Sequence, residues 1–72
     1  MKIGVVGNGM IVGMFLHDAA LVEGAEIVSL CVRPHNLEKG QKIAEEHQIP
    51  VVETDYDTFL KNQEIETVYV GI

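Results

Sequence analysis

Gly7, Asn8 and Gly9, near the amino terminus, carry the clearest chemical signal in the sequence. Gly7-Asn8-Gly9 directly follows the apolar run from Lys2 to Val6 and opens an apolar, helix-like stretch. Glycine at position 7 permits a tight turn out of a strand, and glycine at position 9, lacking a Cβ, lets an anion approach the backbone. The N–H groups of Met10 and Ile11, at a helix start, then face that anion with the positive end of the helix dipole behind them. No basic side chain is needed for this arrangement. The spacing therefore points to the pyrophosphate of a dinucleotide.

Two departures from the usual glycine fingerprint refine that expectation. Val12 stands where a third glycine commonly allows close helix-on-strand packing, and Gly13 comes one residue late, which predicts slightly looser packing there. Roughly 20 residues further on, where an acidic side chain often accepts the ribose hydroxyls, the chain has Val32, followed by Arg33, its only arginine. A guanidinium at the tip of a second strand suits a 2′-phosphate and predicts NADP(H) over NAD(H). His35, close by, reads either as a further donor to that phosphate or as a solvent-facing loop residue.

These residues need a scaffold of alternating strands and helices. Lys2 to Val6 reads as a strand buried on both faces, and Met10 to Val22 as a helix apolar around most of its circumference, stopped by Gly24. Glu26 to Val32 forms a second strand, broken by Arg33-Pro34-His35-Asn36, with Asn36 as a helix cap. Leu37 to His47 is an amphipathic helix weakened by Gly40. A short strand, Val51 to Glu53, comes next. Thr54 or Asp55 caps a short helix ending near Asn62, and Thr67 to Ile72 is the closing strand. The alternation predicts right-handed crossovers and an open α/β architecture, a doubly wound parallel sheet ordered 3-2-1-4 with its ligand at the carboxyl ends of the strands.

Composition narrows the partners. The 72 residues are 47% hydrophobic and carry a net charge of -6 with only 5 Lys+Arg, the wrong balance for tracking phosphates of nucleic acid. The glycines between Met1 and Leu16 interrupt what could imitate a signal peptide, and no apolar run reaches the ~20 residues of a membrane-spanning helix. One cysteine, Cys31, in an apolar run suits a buried thiol in a reducing, cytoplasmic compartment. His17, His35 and His47 share neither a helix face nor ligand spacing, so no metal site is expected. The carboxylates Glu38, Glu45, Glu46, Asp55 and Asp57 fall on solvated helix faces or caps, and Phe15, Tyr56, Phe59 and Tyr69 read as core.

With these segments in hand, the sequence resembles the N-terminal domain of the Gfo/Idh/MocA oxidoreductases. The resemblance is carried by Gly7 to Ile11, Val32-Arg33-Pro34, Ala44 to Pro50 and Thr54-Asp55-Tyr56 through Gly71. It implies a Rossmann-type domain, incomplete over residues 1–72, and NAD(P)-dependent hydride transfer on a sugar, polyol or related alcohol. It places the pyrophosphate at Gly7, Asn8, Gly9, Met10 and Ile11, the adenosine end at Val32, Arg33 and Pro34, and the start of the nicotinamide side at Gly71 and Ile72. In that family a Pro-Asn loop ending in His and a later Glu-Lys-Pro segment serve catalysis, and both lie beyond position 72. The 72 residues alone are thus expected to bind cofactor without turning over substrate. The substrate domain would lie elsewhere, and the full-length protein would be a homo-oligomer. A nucleotide-sensing regulatory module built on the same βαβ unit is the other reading.

Overall fold

The computed structural model describes residues 1–71, Ile11 by its backbone alone. Its elements are β1 (Lys2–Val6), α1 (Met10–Ala19), β2 (Glu26–Cys31), a 3-10 turn (Pro34–Asn36), α2 (Leu37–His47), β3 (Val52–Glu53), α3 (Tyr56–Leu60) and β4 (Thr67–Val70). The four strands form one sheet in the order β3-β2-β1-β4, with β1 parallel to both β2 and β4 and β2 parallel to β3. This is the expected order, an incomplete Rossmann-like α/β sheet.

Side-chain alternation along β1 divides the two faces of the sheet. Ile3 and Val5 join Leu30 and Val32 in a core that also takes in Val12 and Leu16 of α1 and Ala44 of α2. Gly4 points the other way, under α3: a Cβ there would stand 2.6 Å from Phe59 Cζ and 2.8 Å from the Ile65 Cδ1 atom. Gly4→Ala should therefore introduce about 1–3 kcal/mol of overpacking strain, more than the roughly 0.5–1 kcal/mol of backbone entropy an alanine recovers. A lowered urea midpoint is the expected result; an unchanged one would show that Phe59 yields freely.

The structure moves several boundaries. Helix α1 ends at Ala19 rather than Val22, because the chain turns through Leu21 and Val22, whose N–H groups donate to the Asp18 and Ala19 carbonyls, and then through Gly24 at φ +88°. Met10 and Met14 are exposed, so α1 buries one side and is not wrapped in apolar contacts. Strand β2 stops at Cys31 and β3 begins at Val52, although the Val32 N–H still donates to the Glu53 carbonyl at 2.9 Å. Helix α3 closes at Leu60. Strand β4 is described only to Val70, and its sequence-expected end at Ile72 lies outside the described residues.

Capping also differs from expectation. Asn36 makes no side-chain cap; proline at the start of the 3-10 turn begins a continuous path into α2, and Asn36 Nδ2 instead lies 3.3 Å from His35 Nε2. Between Thr54 and Asp55, the cap of α3 is Asp55. Gly40 does more than weaken α2: it is buried, and a Cβ there would meet Val32 Cγ2 at 2.8 Å, so the glycine lets the helix close on the end of β2.

Candidate functional site

The carboxyl ends of the strands open into one cleft of about 640 Å³. At its centre is the turn after β1. The Gly7 N–H donates to the Cys31 carbonyl at 2.9 Å and the Gly71 N–H to the Val6 carbonyl at 2.9 Å, so both neighbouring strands are tied to the turn. Gly7 sits at φ +120°, where L side chains are strained, and a Cβ on it would lie 2.5 Å from the Gly71 carbonyl oxygen. Glycine at position 7 is thus required by the fold itself.

Gly9 differs. It occupies the N-cap position of α1 in an extended conformation open to any residue, and a Cβ there would meet nothing within 4 Å. No side chain caps the helix and no acidic residue stands in its first turn, which leaves the first-turn N–H donors and the positive dipole end for an anion. The space over Gly9 is part of the cleft. These features fit a pyrophosphate.

Packing around the turn corrects the expectation that Val12 loosens it. Val12 is fully buried, and its Cγ2 would lie 3.1 Å from a Cβ on Gly7 and 2.7 Å from one on Gly71. The valine fills the room that two glycines vacate. Gly13, by contrast, faces open space and takes no part in close packing.

Of the residues singled out in the sequence, Gly7, Asn8, Gly9, Val32, Arg33, Pro34, His35 and Gly71 line this one cleft. Met10 stands outside its lining with an exposed side chain, Ile11 lies in the first turn of α1, and Ile72 is outside the described residues. Val32 is buried against Gly40, so it forms floor rather than a flexible wall. Arg33 is exposed at the rim, and the ion pair found among the described residues, Lys2 with Glu64, leaves it uncommitted.

Sequence reasoning missed Val6, Cys31, Thr54, Tyr56 and Val70 in the lining. Tyr56 was expected in the core, yet it is 48% exposed; only the partnering of β3 with β2 brings it to the cleft. Cys31 is buried as expected, and burial first, then the nearby Glu53 and Asp55 carboxylates, raise its thiol pKa, which keeps it protonated and unreactive near neutrality. The Thr58 hydroxyl, donating to Asp55 Oδ2 at 2.7 Å, holds the Asp55 carboxyl below the usual carboxylate range, helped by the Asp57 N–H at 3.3 Å. A carboxyl lowered in the folded state stabilises above its ordinary pKa and loses that contribution as pH falls through the lowered value, so α3 is firmly capped near neutrality.

Among the described residues, no cluster of three or more His, Cys, Asp or Glu is arranged to hold a metal, and no helix is long and apolar enough to cross a membrane. No protein-family model matches the chain, and the search of curated proteins gives no match.

Solved structures do match. A probable dehydrogenase from Thermotoga maritima superposes with a TM-score of 0.82 over 97% of this chain and 20% of its own length, at 18% identity. A protein provisionally assigned as an NADPH-dependent oxidoreductase, from Desulfitobacterium hafniense, gives 0.88 over 100% of this chain and 20% of its own, at 14% identity. A mutant of KijD10, a 3-ketoreductase from Actinomadura kijaniata in complex with TDP-benzene and NADP, gives 0.86 over 100% of this chain and 22% of its own, at 20% identity. At these identities the likeness establishes fold: the chain has the Rossmann-like architecture found in these oxidoreductases and spans about a fifth of their length.

Proposed function

We propose that this chain is the dinucleotide-binding part of an NAD(P)-dependent oxidoreductase that acts on a sugar, polyol or related alcohol and prefers NADP(H). The observation that carries the reading is Gly9: a glycine the backbone does not demand, with empty space over it, at an uncapped helix N-terminus in the cleft. The order of the sheet supports it, since the β1/β4 boundary is a topological switch point, where ligands of open α/β sheets bind. So do the sequence resemblance to the Gfo/Idh/MocA oxidoreductases and the NADP found with one structural neighbour.

A bound nicotinamide cofactor supplies hydride exchange with the substrate carbon. The work of this chain is to hold and orient it. The first turn of α1 takes the pyrophosphate, Arg33 and His35 take the adenosine phosphate, and Gly71 begins the nicotinamide side. No residue of the cleft is assigned a proton transfer, and the substrate clamp belongs to a separate domain. A cytoplasmic setting and a homo-oligomeric full-length protein are part of the same proposal.

Fluorescence titration of the protein with NADPH and NADH tests it. Saturable binding of both, tighter for NADPH, is expected. If neither binds, the proposal is wrong.

A further inference from the structure

Besides the His35 imidazole, already given to the phosphate, the described lining of the cleft holds one aromatic side chain, Tyr56, and the cofactor reading above gives it no role. Tyr56 is the first residue of α3, directly after the Asp55 cap, and it is 48% exposed. Its ring is not loose. It lies 6.1 Å between centroids and 21° from the ring of Phe59, which is 1% exposed and packs over Gly4 in the core. One face of a backed, half-exposed aromatic ring is therefore presented where a ligand can reach it, the arrangement of a stacking platform.

Its position in the sheet says which part of a ligand would arrive there. Along the order β3-β2-β1-β4, the glycine turn ends β1, Arg33 follows β2, and Thr54 and Tyr56 follow β3. A dinucleotide with its pyrophosphate over Gly9 and a phosphorylated ribose at Arg33 runs away from β4, so its base is carried toward β3. We infer that Tyr56 is the platform on which the adenine base of the dinucleotide stacks, an inference that rests on the cofactor reading. A purine offers a flat π-face to the ring and needs no hydrogen bond from the phenol, so the ring and not the hydroxyl is the operative group.

Calorimetric titration of wild type, Tyr56→Phe and Tyr56→Ala with NADPH and with 2′,5′-ADP separates the two readings. Tyr56→Phe should bind both ligands as wild type does. Tyr56→Ala should lose about tenfold in affinity for both, because 2′,5′-ADP carries the base and lacks the nicotinamide. Undiminished NADPH binding by Tyr56→Ala, or a loss in Tyr56→Phe as large as that in alanine, would overturn the stacking role while leaving the cofactor reading intact. Failure of the wild-type protein to bind either ligand would instead remove the cofactor reading and this inference with it.

Discussion

Gly9→Ser is expected to leave the protein as stable as wild type while reducing its affinity for NADPH by about a hundredfold or more. Serine is at least as good as glycine at a helix N-cap, and a Cβ at this position meets no protein atom within 4 Å. The new side chain instead enters the cleft above the first turn of α1, and its Oγ can take a helix N–H that the pyrophosphate would otherwise use. Each charge-assisted hydrogen bond is worth about 1.5–3 kcal/mol, and about 1.4 kcal/mol is tenfold in affinity, so the loss of one or two such bonds accounts for the size of the effect.

The neighbouring glycines provide the contrast. Gly7→Ala forces a side chain into φ +120° and against the Gly71 carbonyl oxygen, and it should unfold the turn, lowering the melting temperature along with binding. Gly13→Ala adds a methyl group to open space inside a helix, and it should gain about 0.5–1 kcal/mol of stability with binding unchanged. Thermal melting followed by NADPH titration reads all three. Wild-type affinity in Gly9→Ser would show that the space over the helix N-terminus is not where the phosphates lie.

These three glycines also show what the sequence could and could not disclose. The strand, the turn and the helix start are local, written in the apolar run Lys2 to Val6 and the residues that follow it, and they were legible. That Gly7 is needed by the fold and Gly9 is not depends on where Gly71 lies, 64 residues away in the chain, and no local pattern reports that. Val12 looked like a defect for the same reason, since part of its compensation comes from Gly71, just past the end of β4. Helix α1 was read three residues too long because turn residues in right-handed conformation, Ala20 among them, keep an apolar helical pattern without burying it. Tyr56 was read as core because its apolar neighbours in sequence gave no sign of which surface a two-stranded contact, β2 with β3, would leave open. Gly40 was read as a weakness although Val32, on another element, makes it a contact point.

Arg33→Ala is expected to weaken NADPH by about ten- to hundredfold and NADH by far less, a result that would make Arg33 the source of the proposed cofactor preference. The guanidinium stands at the cleft rim just past β2, with no ion-pair partner among the described residues, so nothing must be broken before it meets a phosphate. A 2′-phosphate carries nearly two negative charges and accepts a bidentate pair, a contact worth about 1.5–3 kcal/mol. Exposure pulls the effect toward the lower end of that range, and screening should make the NADPH preference shrink as salt rises. The residue before it contributes differently. Val32 is 4% exposed with its methyl groups against Gly40, so Val32→Asp would bury a carboxylate in the cleft floor and cost stability along with any change of preference. Specificity is therefore read most cleanly from Arg33, by titrating wild type and Arg33→Ala with each cofactor at low and high salt. Equal losses for NADPH and NADH would mean that the guanidinium serves the part common to both cofactors, and the assignment of NADP(H) would fall.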